Sequence, residues 1–395
     1  MNSSDPIVIV SCARTPMGGM QGDFATVTAS ELGGVAIQAA LERGGVAADD
    51  VDEVIMGNVL PAGQGQAPAR QAAWTAGIPR SAGATTINKM CGSGMKAVML
   101  AHDILCAGSA DVMVVGGMES MTNAPFLLPN MRSGQRYGHT EVYDHMALDG
   151  LEDAYEKGRS MGTFAEATVD KYGFTREQQD DYAITSLTRA QNAANAGHFD
   201  TEIAPVSYTT RKGDVTIATD EQPPKAKPEK IPTLRPAFRK DGTVTAAHSA
   251  SISDGAAALV MMRESEAKKR GLKPMAKIMG HATHAQEPCW FTTAPIDSIK
   301  KVLAKTGWSK DDVDLWEINE AFAVVAMAAM RDLDLDHGKV NVHGGACALG
   351  HPIGATGARL LVTLIHALET HGGTKGVASL CIGGGEATAV AIELL

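Results

Sequence analysis

Cys91 stands in NKMCGSGMKAV, between a short apolar run and a helical pattern whose first turn holds Gly92, Ser93 and Gly94. A thiol at such a junction meets the positive end of a helix and its unpaired N–H groups, which favour a thiolate and can bind a developing oxyanion. By itself the stretch reads first as a small buried cysteine beside a tight turn. It lacks both the dinucleotide fingerprint and the Lys-Ser/Thr ending of a phosphate loop. His351 lies in GGACALGHPIGATG, just before Pro352, which suits the first position of a helix. Among so many glycines its imidazole is placed to meet a substrate, with a structural histidine as the open alternative. Cys381 ends an apolar run in SLCIGGGEA, where a thiol can exchange a proton with a carbon acid or a leaving thiolate. Asn319, in EINEAFA, precedes an Ala-rich helical pattern; capping that helix is the ordinary role and positioning a water the other. His343 is a weaker candidate, and His366 and His371 read as helix-surface residues.

The elements that must hold these groups alternate. IVIVS, EVIMGNV, TTINK and DVMVVGG are strand-like runs separated by helical patterns, among them one from Gly92 to about Gly108. That order predicts parallel strands with helices on both faces, and all-apolar strands fit a sheet buried on both sides. From Met118 to Ser251 the chain turns loop-rich, with one clear helix starting at TREQQDDYAITSLTRAQNAANAG, where Thr175 and Gln178 form a capping box. DEQPPKAKPEKIP is too rich in Pro and Lys for helix or central strand and is expected to cross the surface. A second alternating region starts near Pro274. INKMCGSG, a helix and DVMVVGG run parallel to VNVHGGACALGHPIG, a helix and GVASLCIGGG, which suggests two duplicated α/β halves. The division is residues 1–120 with 252–272 as the first half, 121–251 as an inserted loop domain, and 273–395 as the second half.

The composition excludes several classes of function. A chain of 395 residues, 44% hydrophobic and 20% charged, can bury two or three cores. Its net charge of −10 and lack of clustered Lys and Arg argue against a nucleic-acid surface. No run reaches the ~18 apolar residues of a membrane span, and MNSSDPIVIV has no signal-peptide layout, so a cytoplasmic location is expected. The six cysteines are too few and too scattered for a disulfide framework, and no CxxC pair indicates structural zinc.

Taken together, NKMCGSGMKAV, NEAFA, GGACALGHPIGATGAR and CIGGG resemble, in order and spacing, the thiolases, and GGMESMTNAP and SDGAAAL match as well. The resemblance spans essentially the whole chain and is greatest to the short-chain members. It implies an α/β fold of duplicated five-layered α-β-α-β-α architecture with an inserted loop domain. It also implies interconversion of two acetyl-CoA with acetoacetyl-CoA and CoA through an acyl-cysteine. On that pattern Cys91 is the acylated nucleophile, His351 its base, and Cys381 the group that takes or returns the α-proton. One oxyanion site is His351 with a water on Asn319, and the other is the N–H groups of Cys91 and Gly383. Gly350, Gly354 and Gly357 are expected to let the acyl chain and backbone approach. No metal or redox cofactor is implied: acyl-CoA and CoA are the partners, and the assembly is a homotetramer or homodimer with the 118–145 loop as a candidate contact.

The resemblance places Lys225 near the nucleotide of CoA and Ser249 at the pantetheine. AAHSAS departs from the family's usual order and puts Ala250 at the register of that serine. Met161 is retained as a residue that narrows the pocket, while Ser160 replaces a common histidine. Trp290 and Phe291 bring bulk to a loop where glycine is usual, with packing of the loop as the plain alternative for Trp290. Acetoacetyl-CoA is the expected substrate, with slightly longer or branched 3-ketoacyl-CoA second. Two rivals are a decarboxylating ketoacyl synthase, disfavoured by CIGGG and NEAFA, and an inactive acyl-CoA carrier, disfavoured by retention of all four chemical residues.

Overall fold

A strand that is buried at every position must be covered on both faces, and residues Val112–Ser120 show how. In this computed structural model, which describes residues 5–395, Met113 and Val115 of that strand enter one core while Val112, Val114 and Met118 enter another. The first half of the main sheet has the order β1 (Ile7–Arg14), β5 (Ser253–Arg263), β4 (Val112–Ser120), β2 (Glu53–Gly57), β3 (Gly83–Ile87). The second has the order β6 (Ala276–Ala285), β9 (Glu386–Leu394), β8 (Lys375–Ile382), β7 (Leu315–Ile318), and Val340 bridges to Trp316 at the position that β3 holds in the first. The duplication read from the sequence is therefore present in the strand order. The halves join where Val8 and Ile9 of β1 pair with Lys277 and Ala276 of β6.

The expectation of parallel strands holds in part. β2 pairs in parallel with β3 and β4, and β7 with β8. β5 runs antiparallel to β1 and β4, and β9 to β8 and β6. The reason for β9 is length: only Gly383–Gly385 connect it to β8, enough for a hairpin and far too short for a crossover.

Three cores make five layers. Helices α3 (Ser93–Ala107) and α8 (Ile353–His371) lie in the middle, where Met95, Val98, Leu361 and Ile365 pack between Val115 and Leu259 of one half and Leu380 and Val390 of the other. α1 (Ala29–Gly44) and α2 (Pro68–Thr75) cover the outer face of the first half, and α6 (Ala294–Thr306) and α7 (Ala323–Leu333) that of the second. His366, expected on a helix surface, is buried at 4% exposure because α8 is enclosed on all sides until its last turn.

The inserted stretch holds more structure than its composition suggested. α5 (Arg176–Asn195) starts with the expected capping box, Thr175 accepting from the Gln178 N–H at 3.2 Å and the Gln178 side chain from the Thr175 N–H at 3.0 Å. A second helix, α4 (Met161–Tyr172), and a hairpin of Val206–Thr210 with Gly213–Ile217 were not foreseen. DEQPPKAKPEKIP contains a helical turn at Gln222–Lys225 and a 3-10 turn at Pro228–Thr233, each with Pro at its start, where the missing N–H costs nothing. Arg14, fully buried on β1, anchors this stretch through Glu202 at 2.5 Å and Asp220 at 2.6 Å.

The glycines around His351 serve approach of the protein to itself. A Cβ on Gly357 would lie 2.4 Å from the Met95 backbone nitrogen, and one on Gly354 2.5 Å from the Glu119 carboxylate. Contacts that close set how deeply α8 and α3 cross. Gly357→Ala is expected to destabilise the fold by about 2 kcal/mol, because the obstacle is backbone that cannot rotate away. A lowered urea midpoint at unchanged slope would show it.

Candidate active site

Cys91 follows Met90, which is held at φ +48°, an uncommon conformation for a side chain of that size. The turn is braced: the Ser93 hydroxyl donates to the Met90 carbonyl at 2.6 Å and accepts from the Lys89 N–H at 2.8 Å. Gly92 is the cap of α3 and provides no side-chain acceptor; its N–H donates to the Lys89 carbonyl at 3.1 Å and that of Ser93 to the Met90 carbonyl at 3.0 Å, so main-chain bonds close the turn that carries Cys91. The partly buried Cys91 sulfur lies within hydrogen-bonding reach of the Gly383 N–H and of its own N–H. Burial nonetheless pushes its pKa up to about 11, with those two donors opposing the rise and the Glu119 charge adding to it.

Cys381, wholly buried near the end of β8, has its pKa raised by burial and further by Cys91. Gly92 packs toward Ile382, and the Lys89 ammonium pairs with Glu386 just beyond the three glycines, so both thiol-bearing turns are latched across the halves. Met161 joins them: its sulfur lies 3.7 Å from where a Gly383 Cβ would stand.

His351 comes from the entrance of α8. The Thr356 hydroxyl donates to the Pro352 carbonyl at 2.9 Å and so accepts from His351 Nδ1–H at 2.6 Å. This pairing puts the proton on Nδ1 and leaves Nε2 a bare acceptor, buried and without a partner among the described residues. Burial, aided by the Arg359 charge, lowers the His351 pKa to about 3, so the ring is neutral at physiological pH. Ile353 of the same turn shares an apolar cluster with Met90 and Cys91.

Asn319 follows β7, and its N–H donates to Ser379 on β8 at 3.0 Å. It does not cap α7, whose preceding residue is Phe322 and which starts at Ala323. Its side chain is fully buried with both polar atoms unpartnered among the described residues, an arrangement that calls for a water or a substrate atom. A neutral imidazole with a free lone pair, two thiols and an orphaned amide can together take up a thiol proton, carry an acyl group and stabilise an oxyanion.

The remaining expected residues are more dispersed. The Ser249 hydroxyl donates to the Thr245 carbonyl at 3.0 Å within its own turn, while the Ala250 N–H donates to Ala321 at 3.0 Å and Ser249 bridges to Phe322, which ties this segment to the NEAFA loop. Lys225 is 62% exposed and paired with Glu221 at 2.5 Å. Phe291 is 3% exposed and packs edge-to-face on Phe164; Phe164, not Phe291, lines a cleft of about 510 Å³ with Tyr155, Cys289 and Gly384. Trp290 borders a neighbouring cavity of about 320 Å³, with the Lys171 ammonium 4.2 Å from its ring centre.

Two buried carboxylates escaped the reading of the sequence. Glu119 accepts from the N–H groups of Val59 at 2.9 Å, Leu60 at 3.1 Å and Gly354 at 2.8 Å, and from the Asn58 amide at 2.7 Å. It thereby fixes the first turn of α8, three residues past His351. Glu320, beside Asn319, accepts from Tyr182, Ser186 and Asn341, each at 2.8 Å, and from the Cys347 N–H at 3.0 Å. An acidic residue inside an all-apolar run, as in VMVVGGMES, was the available signal, since a charge there must be paired.

The thiol state is directly measurable. A raised pKa means that Cys91 is protonated below about pH 11, so the thiolate fraction rises with each step in pH. Alkylation of Cys91 by iodoacetamide in the substrate-free protein is expected to accelerate about tenfold per pH unit between about pH 7 and pH 10. A plateau below pH 9, followed on the Cys91 peptide, would contradict a neutral resting thiol.

Comparison with known proteins finds similarity over essentially the full chain. Residues 7–265 match the model for the thiolase N-terminal domain, and residues 272–394 that for the thiolase C-terminal domain. The chain is 49% identical over 389 residues to an acetyl-CoA acetyltransferase of Cupriavidus necator, covering 98% of this chain and 99% of that protein. It is 47% identical over 391 residues to the mitochondrial acetyl-CoA acetyltransferase of Bos taurus, covering 98% and 92%. The crystal structure of the Bacillus anthracis acetyl-CoA acetyltransferase superposes with a TM-score of 0.96 at 43% identity over all of both chains.

Proposed function

The chain belongs to the thiolase family, and from that premise we propose that it is an acetyl-CoA C-acetyltransferase, interconverting two acetyl-CoA with acetoacetyl-CoA and CoA. The observation that supports this reading is the contact of the Cys91 and Cys381 turns across the two halves, with the His351 turn packed against Cys91 through Ile353 and the orphaned Asn319 hydrogen-bonded to the strand of Cys381.

In the first half-reaction His351 Nε2 takes the Cys91 proton as the sulfur attacks the acetyl carbonyl carbon. The bond to the CoA sulfur breaks, and that sulfur leaves with the proton from His351. The oxyanion formed on the way is stabilised by the N–H groups of Cys91 and Gly383. In the second, His351 Nε2 takes the Cys381 proton, and the resulting thiolate removes a proton from the methyl group of another acetyl-CoA. The enolate oxygen is held by the His351 Nε2–H so formed and by a water on Asn319, its carbon bonds to the acetyl carbonyl, and the Cys91 sulfur leaves and regains a proton from His351, which leaves Cys381 as a thiol. Every step is redox-neutral and each proton has a named carrier, so the cycle draws on no metal or redox cofactor. Burial suits Cys381 to proton abstraction from carbon, because a thiol that is a poor acid becomes a strong base once ionised, matched to a weak carbon acid.

CoA and its thioesters are the partners, with Lys225 and the Ser249–Ala250 segment on the CoA side and Met161 narrowing the acyl end. Six scattered cysteines without the spacing of a disulfide framework support a cytoplasmic setting. The exposed apolar residues Phe126, Leu128, Met131 and Tyr137 support a dimer or tetramer formed through that loop; a single sedimenting monomer would refute it.

The activity is tested by thiolysis of acetoacetyl-CoA with free CoA and by the reverse condensation, compared with 3-ketoacyl-CoA of longer and branched chains. Turnover greatest with acetoacetyl-CoA is expected. Turnover only with malonyl-CoA, or binding of acetyl-CoA without turnover, would overturn the proposal.

A further inference from the structure

The far end of α3 meets β6 at a second group of ligating side chains. We propose that His102, Asp103 and His281 form a binding site for a divalent transition metal of the zinc class, bridging the two halves of the fold. Asp103 Oδ1 lies 3.1 Å from His102 Nδ1 and 3.0 Å from His281 Nε2, and one ligating atom from each residue falls within 4.8 Å of the others. A tetrahedral zinc with bonds of about 2.0–2.1 Å separates its ligands by roughly 3.3 Å. Two of the three edges are already within a few tenths of an ångström of that spacing. Two imidazoles and a carboxylate are also a common zinc donor set, leaving a fourth position for water.

The surroundings fit a metal as well as they fit a hydrogen-bonded relay. The rings of His102 and His281 meet edge to face with centroids 5.0 Å apart, which restrains both. Cys106 Sγ lies 3.8 Å from His102 Nε2, on the ring nitrogen that does not face Asp103. With a metal on Nδ1, the Nε2–H is donated to that sulfur, an outer partner of the kind that fixes a ligand's tautomer. The Lys305 ammonium donates to the His281 main-chain carbonyl at 2.8 Å, so one positive charge already stands close to the site. Without metal, Asp103 Oδ1 accepts an N–H from each ring. On binding, each neutral ring moves its proton to the other nitrogen, so the cation replaces two hydrogen bonds and no proton leaves the site.

The site is distinct from the thiols. His102 stands eleven residues beyond Cys91, roughly 16 Å along the helix. The ion would tie α3 of the first half to β6 of the second, and its expected effect is on stability and not on turnover.

Titration of the full-length, metal-stripped protein with cobalt, followed by visible absorption, tests this. One cobalt per chain with four-coordinate bands, displaced by zinc, is expected. His281→Ala and Asp103→Asn should each weaken binding by roughly tenfold or more, while acetoacetyl-CoA thiolysis is unchanged. Asp103 is 57% exposed at its side chain, so its variant decides the matter should His281→Ala fail to fold. Absence of binding over a wide excess of cobalt overturns the proposal. So does equal binding by both variants, or a thiolate charge-transfer band that persists in Cys106→Ala, which would place the ion on Cys91 and Cys381.

Discussion

Cys91→Ala is expected to reduce both thiolysis and condensation by on the order of 10⁴-fold or more, with the thermal transition nearly unchanged. The size follows from the chemistry: without a sulfur there is no acyl carrier, and the other nucleophiles of the site are already assigned. Cys381 is farther from ready attack, since it is fully buried and its pKa is raised well beyond the ordinary thiol value. Serine at position 91 should fare little better. Its hydroxyl is a much weaker acid than a thiol, and the His351 imidazole, held neutral at a pKa of about 3, is a weak base with which to ionise it. A variant retaining more than a few per cent of turnover would remove Cys91 from the centre of the mechanism.

Cys381→Ala is expected to divide the reaction in two. Transfer of an acetyl group from CoA to Cys91 and back needs His351 and the Cys91 and Gly383 N–H groups, none of which is altered. Exchange of labelled CoA into acetyl-CoA should therefore continue at a rate within a few-fold of wild type. Carbon–carbon bond formation and cleavage need the proton that Cys381 carries, and should fall by about 10³-fold, the ordinary range for loss of a positioned acid-base group. Equal loss of both activities would show that Cys381 supports the Cys91 turn and is not the carbon acid's partner. The separation is meaningful because the two thiols sit on different halves: Cys91 at the head of α3, Cys381 at the end of β8.

Much of the site was legible because its signals are local. Each thiol and the imidazole stand at a strand end or helix entrance marked by glycine or proline within a few residues, and the amide directly follows an apolar strand. The order of strands and helices in the two halves could also be read from apolar runs and their spacing. What could not be read depends on distant partners. Glu119 meets Gly354 from 235 positions away, and Asn58 from 61. The apolar run around Glu119 signals that a charge there needs partners, but nothing near it in the chain says which distant donors supply them. The antiparallel placing of β5 depends on where a chain returns after a long insertion. The burial of His366 depends on a second sheet half closing over α8, and that of Phe291 on a ring contributed by α4. Asn319 was misread at the level of its ordinary role because the loop continues to Phe322 before the helix starts.

The central claim is that an acetyl group rests on Cys91 between the two half-reactions. The most direct measurement is intact mass and peptide mapping of the Cys381→Ala protein after brief mixing with acetyl-CoA, since this variant should load and then stall. One acetyl group on the Cys91 peptide, removed on adding CoA, is the predicted result. An unmodified protein that still binds acetyl-CoA, or an acetyl group carried by any other residue, would contradict it.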